Sequence, residues 1–149
     1  MVHVAWEDVR AYATWAGREL PTEAEWELAC RGGLDGATYA WGEELNPEGR
    51  WMAKTWQGEF PLDNTGQDGY EGTAPVGRYP ANGYRLLDMI GNVWEWTADW
   101  YQAHGELADA CRRYRPAARM AQAVDTGTSH LGFRCILHPA AGVGSTPGG

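Results

Sequence analysis

The chain has 149 residues, a length that predicts one domain, and a formal net charge of −8 that argues against nucleic acid or an anionic membrane as a partner. Twenty glycines and eight prolines predict a loop-rich fold, and nine tryptophans against two phenylalanines supply unusually many large rings. No apolar run approaches the roughly 18 residues of a membrane span, and the first ten residues do not resemble a signal peptide. We therefore expect a cytoplasmic monomer with no membrane contact.

Two short helices are predicted near the N-terminus. Between residues 5 and 16, apolar and aromatic residues recur at helical spacing, and Gly17 marks the stop. The second helix begins at Thr22, because Thr22 and Glu25 form a capping box, and it ends at Gly32. Each helix has one apolar stripe, so both are expected to pack on a common core, with their acidic residues solvated.

Residues 34–80 show little periodicity and are predicted to be loops. Aromatic residues punctuate this region, and each of them can pin a loop to the body of the domain. Bound cations would serve the same purpose by satisfying unpaired carbonyls. The segment 63–70 is rich in oxygen ligands but lacks EF-hand spacing, so a turn and a metal site both remain open.

Residues 82–101, NGYRLLDMIGNVWEWTADWY, carry the densest aromatic cluster of the chain. Two turn-forming pairs, Asn-Gly and Gly-Asn, flank short structured pieces, and residues 93–97 alternate as in a strand. The rings favour a structural core. Asp88 and Glu95, with the carbonyls of the turn, are alternatively suited to a hard cation such as calcium.

A basic run, RRYRPAAR at 112–119, interrupts the acidic chain directly after Cys111. One interpretation is an ion-paired strand. The other is a reactive cysteine, because neighbouring guanidinium groups lower a thiol pKa. The tail 139–149 is rich in Gly, Pro and Ser and is predicted to be disordered.

Four segments together resemble the formylglycine-generating enzyme (sulfatase-modifying factor) family. They are LPTEAEWELACRGG at 20–33, WQGEFPLDNTGQDGYEGTAPVG at 56–77, GNVWEWTADWY at 91–101 and LGFRC at 131–135. They occur in the family's order, and the likeness covers nearly all of residues 2–136. The resemblance implies an α+β, irregular, C-type-lectin-like fold with two short helices, in a partial domain over residues 1–138.

The resemblance also implies two calcium sites. The first falls on Thr55, Asp68 and Tyr70 together with Lys54, which stands where the family has a coordinating side chain and cannot itself be a ligand. The second falls on Asp88, Gly91, Val93 and Glu95. The family further implies a disulfide between Cys30 and Cys135, with two free thiols as the alternative.

The family's active site holds Cu(I) between two cysteines. Cys111 matches the second cysteine, and Trp94 is expected to line the site. The first cysteine is missing, because Glu106 stands five residues before Cys111 and the Gly-Gly-Ser stretch expected there is absent. The chain therefore looks shortened at the front and before Cys111.

The implied reaction oxidises the cysteine of a Cys-x-Pro-x-Arg segment in a sulfatase polypeptide to formylglycine with molecular oxygen. Three hypotheses follow: an active or formerly active oxidase, a non-catalytic, calcium-stabilised peptide- or ligand-binding module on the same fold, or a truncated product that does not fold alone. Cu(I) prefers soft thiolates, so Glu106 favours the second hypothesis for this chain.

Overall fold

The computed structural model describes residues 1–101 and 114–139. Helix α1 spans Trp6–Trp15 and helix α2 spans Glu23–Arg31, followed by one 3₁₀ turn at Pro47–Gly49. Two strands, β1 at Trp94–Glu95 and β2 at Leu131–Gly132, pair in parallel with Trp94 opposite Leu131. The rest of the described chain is loop and turn, in agreement with the predicted α+β class of low regular structure.

Both helices end where their sequences predict. Thr22 caps α2, with its hydroxyl accepting from the backbone N–H of Glu25 at 3.2 Å while the Glu25 carboxylate accepts from the N–H of Thr22 at 2.8 Å. Gly32 follows α2 at φ 59°, and a Cβ there would lie 2.8 Å from the nitrogen of Gly83. Glycine therefore lets the end of α2 approach the 82–83 turn closely.

The two helices do not share a core, and that expectation was wrong. Val9 of α1 belongs to a buried cluster with Leu20, Trp96 and Leu131. Cys30 of α2 belongs to another, which also contains Ala40, Ala53, Met89 and Ile90. The first helix therefore packs beside the two-stranded sheet, whereas the second packs against residues 89–90.

The aromatic cluster at 82–101 forms a core only in part. Trp96 is buried, and its indole N–H donates to the carbonyl of Val4 at 3.0 Å. Trp100 is 72% exposed, and Tyr84 is also exposed. The predicted strand at 93–97 is reduced to two residues, although Trp96 N still donates to Gly132 O at 3.0 Å.

Aromatic side chains pin the long loops, as predicted. Trp41 stacks on Tyr39 with ring centroids 5.3 Å apart, and its indole N–H donates to Glu44 O at 2.8 Å. Trp56 likewise donates to Asp63 O at 2.9 Å. Within the described residues, no helix has the length and apolar character needed to span a membrane.

Candidate functional site

A cavity of about 890 Å³ opens beside β1. Its wall is assembled from α2, residues 54–56, residues 89–101 and residues 114–120, which are distant in sequence. Aromatic side chains make up much of this wall, among them Trp26, Trp56, Trp94, Trp100, Tyr101 and Tyr114. Its volume lies within the range of pockets that take small molecules or short peptide segments.

Trp94 lies in the wall of this cavity, where the sequence placed it. Its backbone N–H donates to His130 O at 2.8 Å, which fixes β1 against the segment leading into β2. Its side chain is half-buried. Trp94 therefore lines the cavity, and its predicted place in the active site stays a prediction.

Two further tryptophans, Trp6 and Trp100, lie against each other on the cavity wall. Trp6 and Trp100 have ring centroids 6.1 Å apart, and the Arg10 guanidinium lies 5.3 Å from the centre of the Trp6 ring. The Trp6 indole N–H donates to Thr97 O at 2.8 Å. These contacts hold Trp100 in place although most of its surface is exposed.

The segment that follows the gap in the described chain is anchored at both ends. Trp56 N donates to the Tyr114 hydroxyl at 2.8 Å. Arg119 bonds both Glu27 and Glu23 of α2, each at 2.5 Å. Burial opposes the charge on Glu27, but its bonds from Arg31 and Arg119 outweigh burial and lower its pKa.

These ion pairs bear on two of the expectations. Arg119 of the basic run is ion-paired, as the first interpretation of that run held, but residues 114–119 form turn and loop rather than a strand, and the alternative of a reactive Cys111 stays open. Glu23 and Glu27 were expected to be solvated, yet both bind Arg119, because the chain returns to α2 almost a hundred residues later. Cys111, the candidate copper ligand, and Glu106 lie outside the described residues.

In the second candidate calcium set, Asp88 and Glu95 are both bound by Arg134. Both carboxylate oxygens of Glu95 accept from Arg134, Oε2 from Nε at 2.5 Å and Oε1 from Nη2 at 2.8 Å. The same Nη2 donates to Asp88 O at 3.1 Å, and the Trp26 indole donates to Glu95 Oε2 at 2.7 Å. Burial works against the charge on Arg134, but Glu95 outweighs it and raises the Arg134 pKa.

This arrangement bears on whether calcium fits. Carboxylate and carbonyl oxygens are the ligands calcium prefers, and Asp88 and Glu95 supply them in one place. Calcium at Glu95 must compete with Arg134, because the guanidinium already engages both oxygens. Within residues 1–101 and 114–139, no group of three or more His, Cys, Asp or Glu side chains is placed to hold a metal, so carbonyls such as those of Gly91 and Val93 would have to complete the set.

The first candidate calcium set is arranged around Lys54. The ammonium lies 3.1 Å from Thr55 O and 3.1 Å from Asp68 Oδ2, while Asp68 Oδ1 accepts from the N–H of Tyr70 at 3.1 Å. The structure therefore brings all four implied positions together. A cation is already present among them, so the set does not fit calcium as it stands.

Cys30 and Cys135 are free thiols in the structure, so the predicted disulfide is not formed there and the alternative of two free thiols is the one present. The Cys30 thiol is fully buried and donates to Met89 O at 3.4 Å. Burial raises its pKa to about 12. A thiol held this way is unreactive in the folded protein.

Two residues that matter at the site were not identified from sequence. Trp26 lies within the predicted second helix and Arg134 within the LGFRC segment, and neither was singled out as a site residue. Their signal in hindsight is chemical, because a largely buried carboxylate such as Glu95 requires hydrogen-bond donors, and the Arg134 guanidinium and the Trp26 indole supply them.

The sulfatase-modifying factor enzyme 1-like domain matches residues 1–139 of the chain. The formylglycine-generating enzyme of Mycobacterium tuberculosis is 50% identical over 175 residues, covering 95% of this chain and 58% of that protein. The formylglycine-generating enzyme of Mus musculus is 46% identical, covering 91% and 43%. A Bos taurus protein named inactive C-alpha-formylglycine-generating enzyme 2 is 44% identical, covering 99% and 52%.

The chain thus spans about half the length of the curated relatives it matches. The alignment with the Mycobacterium tuberculosis protein is longer than the 149 residues of this chain, so that relative carries positions inside the matched region that this chain lacks. Such a difference agrees with the internal loss inferred from sequence.

Two solved structures share the fold. PvdO from Pseudomonas aeruginosa matches with a TM-score of 0.62 and 24% identity, covering 89% of this chain and 59% of that one. CarF matches with a TM-score of 0.62 and 20% identity, covering 90% and 65%. These likenesses confirm the predicted fold class and concern the fold alone.

Proposed function

The chain belongs to the sulfatase-modifying factor enzyme 1-like family, and from this membership we propose that it acts in sulfatase maturation by holding the cysteine-containing segment of a sulfatase in the cavity beside β1. The observation that carries the proposal is the composition of the cavity wall. Trp94 of the family-like segment 91–101 lines it, and so do Tyr114 and Arg115 of the basic run that follows Cys111.

The described residues on either side of the gap support the same location. Tyr101 precedes the segment that contains Cys111 and Tyr114 follows it, and both line the cavity. A substrate cysteine held there would therefore lie close to the two described residues that flank the segment containing Cys111. The net charge of −8 favours the approach of a cationic peptide such as one ending in arginine.

The roles of the chain's own residues follow from their contacts. Trp94 and Trp100 offer broad apolar faces on which an extended peptide can pack and exclude water. The ion pairs of Arg119 with Glu23 and Glu27 fix the end of the 114–119 segment on α2. A Cu(I) ion bound by thiolates would supply the activation of molecular oxygen, with Cys111 as the matching ligand.

Slow oxidation is the expected behaviour of this chain. Glu106 offers a hard oxygen where the resemblance requires a second thiolate, and Cu(I) binds hard oxygens poorly. A non-catalytic binding module is therefore the second candidate function. A protein named as an inactive formylglycine-generating enzyme is also among the relatives, at 44% identity, so the family includes such members.

Calcium belongs to the proposal as a structural ion at Asp88, Gly91, Val93 and Glu95. Its support is that Arg134 already draws the Asp88 carbonyl and the Glu95 carboxylate to one point. A divalent ion could make the same cross-link only after it displaced the Arg134 guanidinium from the Glu95 carboxylate.

Fluorescence polarisation with a labelled Cys-x-Pro-x-Arg peptide tests the proposed function. Trp94→Ala should weaken peptide binding by about 10–30-fold, because aromatic anchors contribute most at such sites. Trp15→Ala is the matched control, since Trp15 is 81% exposed and lies away from the cavity. Equal effects of the two substitutions, or no binding at all, would refute the assignment of the cavity.

Mass spectrometry of the same peptide after incubation with Cu(I) and oxygen separates the two candidate functions. We expect binding with little or no conversion of thiol to aldehyde. Robust conversion that Cys111→Ser abolishes would instead show an active oxidase and a second copper ligand other than Glu106, with His104 the first candidate to examine.

A further inference from the structure

The Lys54 ammonium is buried among oxygen atoms. Its side chain is 6% exposed, and the partner carboxylate of Asp68 is fully buried. The ammonium lies 3.1 Å from Thr55 O, 3.2 Å from Asp68 Oδ1 and 3.1 Å from Asp68 Oδ2. A lysine rarely enters a protein interior unless its charge is balanced there, and here one carboxylate balances it.

The surrounding loops also form hydrogen bonds to Thr55 and Asp68, the two residues that contact the Lys54 ammonium. Gln57 donates from Nε2 to Thr55 O at 2.8 Å and accepts at Oε1 from the N–H of Asp68 at 3.0 Å. Asp68 Oδ1 also accepts from Tyr70 N at 3.1 Å. Burial disfavours ionisation of Asp68, but the bonds from Gln57, Lys54 and Tyr70 outweigh it and lower its pKa.

Unpaired oxygen atoms are a second feature of this pocket. Thr55 Oγ1 and the hydroxyl of Tyr79 are buried and have no hydrogen-bond partner. The Tyr79 hydroxyl lies near Asp68, and burial together with that carboxylate raises the Tyr79 pKa to about 12.

The backbone of Lys54 links the pocket to the other candidate cation site. Lys54 O accepts from the N–H of Asn92 at 2.9 Å, and a Cβ on Gly91 would lie 2.1 Å from that oxygen. Any change in the position of Lys54 therefore reaches the 91–92 turn. The two sites are neighbours, so a test must count ions rather than rely on stability alone.

We infer that Lys54 is an internal cation that replaces the calcium ion implied at the first site, so that the 54–70 loop is held together without a metal there. The charge balance is the main reason. Lys54 and Asp68 neutralise each other, whereas adding a divalent ion beside the ammonium would leave two uncompensated positive charges in a buried pocket. An ammonium also has no lone pair with which to become a ligand.

The inference predicts a gain of function. Lys54→Asn removes the competing positive charge and leaves Asp68 without its ionic partner. It also adds an amide oxygen, which can coordinate calcium. This variant should bind one more Ca²⁺ per chain than the wild type. Lys54→Met is the matched control, because it removes the charge without adding an oxygen, and the double change Lys54→Asn with Asp68→Asn removes the carboxylate as well.

Equilibrium dialysis gives the number of Ca²⁺ ions bound per chain of each protein. Thermal unfolding with and without a chelator gives the effect of bound calcium on the melting temperature. At calcium about 100-fold above its Kd, the melting temperature of Lys54→Asn should rise by about 5–10 °C more than that of the wild type. The extra ion should be absent from the double variant and reduced or absent in Lys54→Met.

Asp68→Asn in the wild-type background is the complementary measurement, and it does not depend on the folding of Lys54→Asn. We expect its calcium stoichiometry to equal that of the wild type. A lower value would mean that calcium already binds Asp68 beside Lys54 and would overturn the inference. A folded Lys54→Asn protein that gains no ion would overturn it equally.

Discussion

The ion pair between Arg134 and Glu95 should be a principal support of the fold, and Arg134→Met tests this. The Glu95 side chain is only 11% exposed and that of Arg134 is 24% exposed. Removing the guanidinium leaves Glu95 with the Trp26 indole as its remaining donor among those described above. Methionine keeps much of the length of the side chain, so the lost charge rather than lost packing dominates the result.

The magnitude follows from the burial of the pair. Breaking a buried ion pair by removing one partner costs about 3–5 kcal/mol, because an uncompensated charge is left behind. The indole bond and partial access to water place the expected loss near the lower end, at about 3 kcal/mol. For a chain of this length, that loss lowers the melting temperature by about 6–12 °C.

Urea unfolding followed by circular dichroism measures this loss without depending on Trp26 fluorescence. Arg50→Met is the control, because the Arg50–Glu48 pair is exposed, with side chains 69% and 81% accessible, and should change the free energy of unfolding by less than about 0.5 kcal/mol. A double-mutant cycle with Glu95→Gln isolates the pairwise contribution. If Arg134→Met and Arg50→Met cost the same, the reasoning about burial is wrong.

Three further outcomes are expected. Chelation of calcium should lower the melting temperature of the wild type, and Glu95→Gln should remove most of that sensitivity; an unchanged melting curve in excess chelator would exclude calcium at Asp88 and Glu95. In a Cys111→Ser background, a thiol reagent should label half-buried Cys135 much faster than buried Cys30. A protein mass lower by two hydrogens would instead reveal the predicted disulfide. That disulfide would close a loop of about a hundred residues and could stabilise the fold by about 4–5 kcal/mol. The hydrogen bond to Glu25 at 2.7 Å and the charge of Glu25 raise the pKa of His138 above its ordinary 6.5. The stabilising contribution of this pair should therefore be full below about pH 6.5 and disappear as the pH rises through the folded-state pKa. Melting temperatures of the wild type and of His138→Gln, measured over a pH series, should diverge on the acidic side and converge in alkaline solution.

The cation sites illustrate how far a sequence pattern alone can be trusted. Of the residues expected to ligate calcium, Asp88 and Glu95 share Arg134 as a partner, and Thr55 and Asp68 share Lys54. Calcium binding at Asp88 and Glu95 stays a prediction. The sequence already placed Lys54 at the first site, but Arg134 was not expected at the second. The Arg134–Glu95 ion pair depends on where two distant segments meet, which no local pattern records.

Local chemistry accounts for what the sequence determined by itself. Thr22 with Glu25 and the glycine at position 32 set the ends of α2, because capping bonds and positive φ are decided within a few residues. The aromatic pins of the loops follow for the same reason, since Trp41 and Trp56 each bond a carbonyl fewer than ten residues away.

Only the tertiary structure decided the contacts between distant segments. It gave the two helices separate cores, placed Trp100 at the surface, set Arg119 on α2 and buried the Cys30 thiol against Met89. The Cys30–Met89 contact joins residues 59 apart in the chain, and the Arg119–Glu27 contact joins residues 92 apart. The separate cores and the exposure of Trp100 depend on how whole loops pack. Such energies arise only when the chain has closed on itself, and so the sequence pattern could indicate the chemistry of the site but not the partners that complete it.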